Sequence, residues 1–434
     1  MDESRFYGES MLERLPALPG GTELLDLSAG RDDVELVGGA ARDLLIGRAP
    51  RELDVVVAGD AASFAHDLAS KLSVPAGENP EGRSGVALHE RFGTALVWWE
   101  GGRIDIACRR AESYPAPGAL PEVRAGTPEE DLRRRDFTVN AIAIPLGGPR
   151  RGELRAVPHA LEDLSSALLR VLHDESFLDD PTRLLRIARY RARLGFEPEE
   201  HTAELAAQAL ATGALETVSG ARIGAELRLA LGEPDPVATL ASLDDLGVLS
   251  AVHPRLRLEE SLARRALAIL PGDGRADLLL VATLLLSIAD GSTTDREHVM
   301  LGLLDDLEFT AAERDRAVKT ALLAPVLAEQ MRDCHAPSEL REAARAATLE
   351  ALALAVSSLD EETARGEAGA LARRWLEQLR HVRLRITGDD LLAAGISAGP
   401  EIGARLEVVL NMRLDGALED TREAQLRAAL EARV

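Results

Sequence analysis

Residues 37–57 read Val37-Gly-Gly-Ala-Ala-Arg-Asp-Leu-Leu-Ile-Gly-Arg-Ala-Pro-Arg-Glu-Leu-Asp-Val-Val-Val57, and this stretch decides the fold of the first third of the chain. A short β-rich run ends in a glycine pair, a small amphipathic helix follows, and a second strand opens on two acids spaced by one residue. Gly38 and Gly39 let the backbone come close to a phosphate, while the helix N-terminus behind them supplies N–H donors that have no partner within the helix. Arg42 adds a positive charge on the same turn. Glu52 and Asp54 alternate on a strand and so share one face, where hard carboxylate oxygens can hold magnesium. Asp105, within Arg103-Ile104-Asp105-Ile106, offers a third carboxylate from a neighbouring strand. Taken alone, the glycine pair reads first as a tight turn with solvated acids at a strand end.

Working outward, residues 34–157 alternate short β-rich runs with Gly/Pro turns. The runs are Val34–Val37, Leu53–Val57, Ala95–Trp99, Arg103–Ala107 and Ala141–Ile144, with helical stretches after Gly39 and near Ala61–Leu72. This is a mixed α/β head. From about Leu161 the text turns Leu/Ala/Arg/Glu-rich, with apolar residues three and four apart, as in Leu184, Ile187, Ala188 and Leu194, so the remainder is expected to be almost wholly helical. Breaks at Gly232–Pro236, Pro271–Gly274 and Thr387-Gly388 divide that helical part.

A length of 434 residues calls for two to four modules of roughly 100–200 residues each. No uninterrupted apolar run reaches the ~18 residues of a membrane span, so no membrane association is expected. The start Met1-Asp2-Glu3-Ser4-Arg5 lacks a secretory pattern, and Cys108 and Cys334 cannot make a disulfide framework. A reducing cytoplasm is the expected location, with both thiols in the core. Fifty Lys+Arg against 73 Asp+Glu leave a net charge of −23, which excludes coating nucleic acid by bulk charge; any such site must be local. The cations are almost all arginine, lysine appearing only at Lys71 and Lys319, and arginine is the better bidentate reader of phosphates and base edges. Aromatic residues, at 3%, are too few for a stacking platform.

Two further blocks complete the pattern. Residues 131–141 read Asp131-Leu-Arg-Arg-Arg-Asp-Phe-Thr-Val-Asn-Ala141, and residues 178–196 run from Leu178-Asp-Asp-Pro-Thr-Arg through to Gly195-Phe196. Together with 37–57 they resemble the class II tRNA nucleotidyltransferases, the CCA-adding enzymes and bacterial poly(A) polymerases of the polymerase-beta-like superfamily. The order GGxxRD with spaced acids, RRDFTxNA and (E/D)DPxRxLR is kept. The likeness continues through Gly220–Leu227, Ile386–Leu391 and Gly399–Gly403 and so covers most of the chain. Two positions depart from the family: Glu52 stands where an aspartate is usual, one methylene longer, and Asp179 stands where glutamate is common.

The resemblance implies an α/β nucleotidyltransferase head (1–157), then an all-α neck with the base-reading motif (158–232), body (233–380) and tRNA-binding tail (381–434). It implies Mg²⁺ on Glu52, Asp54 and Asp105, with Gly38, Gly39, Arg42, Arg135, Asp136 and Asn140 on the nucleotide's ribose and phosphates, and Arg186 on the triphosphate. Asp180 and Arg183, on a helix expected to start at Pro181, would read the Watson–Crick edge: a carboxylate accepts from the exocyclic amine of C or A and a guanidinium donates to the ring nitrogen. The activity implied is completion of the tRNA 3′-CCA end from CTP and ATP without a template. A-only, CC-only or poly(A) addition on the same fold is the alternative, and the stretches 55–61 and 110–123 resemble the branch that includes partial-activity members. A non-catalytic RNA-binding descendant is the rival of another class. Neither His66-Asp67 nor His173-Asp174 has a supporting histidine cluster nearby, so the phosphohydrolase domain of some longer family members is not expected.

Overall fold

The computed structural model describes residues 3–75, 83–89, 93–360, 363 and 366–433, with side chains from Gly8 onward. The chain divides into two compact units, Met1–Ser219 and Gly220–Val434. In the first unit the strands are β1 (Val34–Val37), β2 (Leu53–Val57), β3 (Gly85–His89), β4 (Thr94–Trp99), β5 (Gly102–Cys108), β6 (Arg110–Ser113), β7 (Glu122–Ala125), β8 (Ile142–Pro145) and β9 (Arg155–Ala156). Seven of them form one sheet in the order β3-β4-β5-β2-β1-β8-β9, and β6 and β7 pair as a separate hairpin. Within the large sheet the β2–β5 pair is parallel and the other pairs are antiparallel. A parallel pair needs a long crossover, and the helix Ala61–Lys71 with the β3–β4 hairpin provides it.

β5 shows why the sheet has one chemical face. Ile104 and Ile106 are fully buried, whereas Arg103 and Asp105, on the alternate positions, are not. Ile104 and Ile106 join Leu36, Val55, Val57 and Phe64 in the core, under the helices Gly38–Leu45 and Ala61–Lys71 that pack on the sheet. The opposite face carries the acids.

All five strand runs read from the sequence are present, two with the same ends and three with ends shifted by one residue. β3, the β6–β7 hairpin and β9 were not among them; β9 is two residues long, and the strand β7 is exposed throughout, so neither carries a burial signature. Among the described residues beyond Ala160 the elements are helices, apart from one parallel pair of two-residue strands, Leu168–Leu169 with Glu197–Pro198, and a single bridge from Val171 to Phe137.

Every element among the described residues of the second unit is a helix. Its centre is Ala276–Leu285, whose last eight residues are all buried; a helix apolar all round must be enclosed, and Ala311–Met331 and Leu349–Ser358 pack against it. Ile386, Leu391, Val409 and Ala429 form a separate small core among the last helices. Cys334 is buried, but Cys108 sits half-exposed at the end of β5, a correction to the expectation of two core thiols. No helix among the described residues is long and apolar enough to cross a membrane.

Candidate active site

The parallel register places Leu53 beside Ile104 and Asp54 beside Asp105. The two aspartates therefore stand side by side on one sheet face, and Glu52, one alternation earlier, shares it. One carboxylate oxygen from each of Glu52, Asp54 and Asp105 lies within 4.8 Å of the others, and all three side chains are partly buried. Burial, and then the like charges of Glu52 and Asp105, push the Asp54 carboxyl up to about 7, against the pull of Arg135 and Arg42. Three hard oxygen donors that repel one another are a donor set suited to a divalent cation.

The glycine turn sits directly over these acids. Gly38 has φ +64°, a conformation few other residues adopt, and a Cβ there would meet the Arg135 guanidinium at 2.8 Å and Asp54 Oδ2 at 3.7 Å. A Cβ on Gly39 would lie 3.6 Å from Asp54 Oδ2. The missing side chains leave the cradle open beside the acids.

The Arg-Arg-Asp block and the helix Arg183–Leu194 meet this turn through a chain of polar contacts. Arg42, 1% exposed, donates to Asp43 Oδ1 at 2.8 and 2.7 Å and to the Asn140 carbonyl oxygen. Asn140 Nδ2 donates to Asp136 Oδ1 at 2.9 Å, and Arg186 Nε donates to Asp136 Oδ2 at 2.8 Å. Tyr190 underlies the set: Arg42 and Arg186 lie 5.5 and 5.7 Å from its ring centroid. Burial opposes ionisation of Asp136, yet Arg186 and the Asn140 hydrogen bond hold it well below the usual carboxylate range. Arg135 reaches Asp131 Oδ2 at 3.0 Å, and its buried Nε has no hydrogen-bond partner.

The expected base-reading pair is arranged differently from the sequence expectation. The helix begins at Arg183, not Pro181, and Asp180 precedes it with φ −133° and ψ 89°, outside the helical region. The entry is a tight turn closed by Arg183 N–H to Asp180 O and Leu184 N–H to Pro181 O, at 3.0 Å each. Asp180 Oδ1 accepts from the Thr182 N–H and hydroxyl at 3.1 and 2.6 Å, as a helix-entry side chain does. Arg183 is 3% exposed; it donates to Ser176 Oγ at 2.5 Å and to the Arg134 carbonyl at 3.0 Å. The two residues thus bracket one turn and are each held by their own partners.

The family model of the poly(A) polymerase head domain matches residues 34–170, which span the glycine turn, the acids and the Arg-Arg-Asp block. A CC-adding tRNA nucleotidyltransferase of Deinococcus radiodurans is 33% identical over 419 residues, covering 94% of this chain and 93% of that protein. The chain belongs to the tRNA nucleotidyltransferase family. An A-adding tRNA nucleotidyltransferase of Geobacter sulfurreducens is 32% identical over 94% of this chain. The match spans about half the length of the A-adding relatives, 46% of the Geobacter sulfurreducens protein and 50% of that of Halalkalibacterium halodurans. Among solved structures, the Thermotoga maritima CCA-adding enzyme complexed with tRNA is similar with a TM-score of 0.74, at 27% identity and 97% coverage of both chains.

Several residues of this candidate site escaped the sequence reading. Asp43 clamps Arg42, Asp131 receives both Arg134 and Arg135, and Tyr190 supports two guanidiniums. The helical spacings Asp131 to Arg135 and Arg186 to Tyr190, each four apart, were the available signals. Arg103, two before Asp105 on the same strand face, bonds Asp105 Oδ2 at 2.7 Å and Glu52 Oε2 at 3.1 Å.

Proposed function

We propose that this chain adds nucleotides from CTP and ATP to the 3′ end of tRNA without a nucleic-acid template. The RNA 3′-hydroxyl attacks the α-phosphate, the bond to the leaving phosphate breaks, and pyrophosphate departs. The observation that carries the reading is the cluster of Glu52, Asp54 and Asp105 beside the open glycine cradle. These acids would hold Mg²⁺, which supplies charge stabilisation for the phosphoryl group in transfer.

The other roles belong to the chain's own groups. The backbone at Gly38 and Gly39 admits the phosphates, and Arg135 faces them with a guanidinium poised above the turn. Arg42 acts as a positioning residue: it is enclosed, and it holds Asn140, which in turn holds Asp136. Asp136 and Arg186 face the nucleotide's ribose and triphosphate. Asp180 and Arg183 select C and A over U and G, because U and G set a carbonyl oxygen before the carboxylate and a ring N–H before the guanidinium. Residues 158–232 serve as neck, 233–380 as body and 381–434 as the tRNA-binding tail, and the enzyme works in the cytoplasm.

A second reading, addition of only part of the CCA end, is favoured by the A-adding and CC-adding names of the relatives that match 94% of the chain. One experiment decides between them. tRNAs whose 3′ ends stop before the first C, before the second C or before the terminal A are incubated with each labelled triphosphate, and products are read at single-nucleotide resolution. Full CCA addition extends all three substrates, a CC-adding enzyme stops before A, and an A-adding enzyme extends only the last. No metal-dependent incorporation on any of them sinks the proposal.

A further inference from the structure

The register that sets Asp54 beside Asp105 starts at Leu53 and Ile104, and just before that first pair Glu52 and Arg103 meet through their side chains. One sheet face therefore carries a four-cornered group: Glu52 just before β2 and Asp54 within it, with Arg103 and Asp105 along β5. The contacts confirm the geometry. Arg103 Nε lies 3.1 Å from Glu52 Oε2, and Arg103 Nε and a terminal nitrogen lie 2.9 and 2.7 Å from Asp105 Oδ2.

One guanidinium thus holds two of the three carboxylates that form the cation cluster, each by an oxygen. Burial works against its charge, but its bonds to Asp105 and its attraction to Asp105, Glu52 and Asp54 together outweigh that. The side chain is 48% exposed, so it can leave the acids without opening the core. The longer Glu52, in place of the family's aspartate, is in contact with this arginine.

We propose that Arg103 is an exchangeable counter-cation of the metal site. With no divalent ion bound, it neutralises part of the repulsion among Glu52, Asp54 and Asp105; a divalent ion must compete with it for Glu52 and Asp105. Arg103 therefore weakens divalent-cation binding by the protein alone. A polyphosphate that draws the guanidinium away strengthens it, because two ligands that favour the same displaced arrangement promote one another. Metal and nucleotide are thereby made to load together.

This inference rests on the metal-site reading above, and a Mn²⁺ titration followed by the electron-paramagnetic-resonance signal of the free ion tests the two separately. Loss of a Mn²⁺ site in Asp105→Asn supports the metal-site reading; the same Mn²⁺ binding in Asp105→Asn and wild type removes it, and this inference with it. Given a site, Arg103→Gln is expected to bind Mn²⁺ about tenfold more tightly without nucleotide, since removing a unit charge so near a divalent ion relieves a strong repulsion. Arg103→Lys, which keeps the charge, is expected to stay near wild type. The gain in Mn²⁺ affinity on adding CTP should be smaller in Arg103→Gln than in wild type. Unchanged or weaker Mn²⁺ binding by a folded Arg103→Gln, checked by circular dichroism, overturns the competition and makes Arg103 a group that orients the acids.

Discussion

Asp136 Oδ2 accepts a 2.8 Å hydrogen bond from Arg186 Nε, 50 residues further along the chain, while its Oδ1 accepts from Asn140 Nδ2 at 2.9 Å. Through Asn140 the contact continues to Arg42 on the glycine-turn helix. Three separated motifs are therefore one polar assembly within the first unit. A change at any member is expected to be felt at the others, because partly unsatisfied buried networks are costly.

Asp136→Asn is the direct probe of that assembly. It leaves Arg186 without its carboxylate and should destabilise the protein by about 1–3 kcal/mol near neutral pH, the range for an unmade hydrogen bond to a charged group. The sign with pH follows from the lowered pKa of Asp136. A carboxyl depressed on folding contributes stability above its unfolded value of about 3.8, and that contribution fades as pH falls below it. Thermal melts of wild type and Asp136→Asn should therefore differ most at neutral pH and converge in acid. A constant difference across pH would show that the loss is packing, not charge.

Asp54→Ala and Asp105→Ala should each lower incorporation of both C and A by roughly 10²–10³-fold or more, the scale on which loss of transition-state charge stabilisation is felt. Circular dichroism and tRNA affinity should stay close to wild type, since neither side chain belongs to the apolar core. Glu52→Asp keeps an oxygen ligand and should retain both additions. Complete loss in Glu52→Asp would mean that the site is built around the longer acid and its Arg103 contact.

What was legible in the sequence follows the range of the interactions. Glu52, Asp54 and Asp105 could be found because strand alternation is local and the two Asp-bearing strands each announce themselves by Val and Ile. The glycine cradle was legible for the same reason: a positive φ leaves its mark as Gly38. The Asp43–Arg42–Asn140–Asp136–Arg186 chain was not, since its links join residues up to 98 positions apart and depend on how the helix Arg183–Leu194 meets the Arg-Arg-Asp block and the glycine turn. Asp180 was misplaced onto a helix because Pro181 is a good first helical residue, whereas here it opens the tight turn that precedes Arg183. Arg103 was given no role from the sequence, because its contact with Glu52 joins two strands and is seen only once they are paired.

Deleting residues 381–434 should weaken tRNA affinity more than nucleotide affinity. The last helices carry their own small core of Ile386, Leu391, Val409 and Ala429, while the acids and the glycine turn lie in the other compact unit. Phosphate contacts also make the lost affinity salt-dependent. Filter binding of tRNA at several salt concentrations, beside calorimetric binding of CTP, checks this. Equal losses for both ligands would point to global unfolding.

Base choice tests Asp180 and Arg183 most sharply. If Asp180 accepts the exocyclic amine of the incoming base, Asp180→Ala should cut discrimination of C against U by about 1–3 kcal/mol, the value of an unmade buried hydrogen bond. It also removes the acceptor of the Thr182 N–H and hydroxyl, so some loss of stability comes with it. Stability alone cannot alter a ratio between two nucleotides measured on the same folded enzyme. Arg183→Ala should weaken CTP and ATP together, because both present a ring-nitrogen acceptor, and it should also loosen Ser176 and the Arg134 carbonyl that the guanidinium now holds. Measuring kcat/KM for all four triphosphates with each variant separates recognition from scaffolding. Unchanged C:U and A:G ratios in both variants, with lower rates throughout, would make the pair a brace for the helix entry and not a reader of bases.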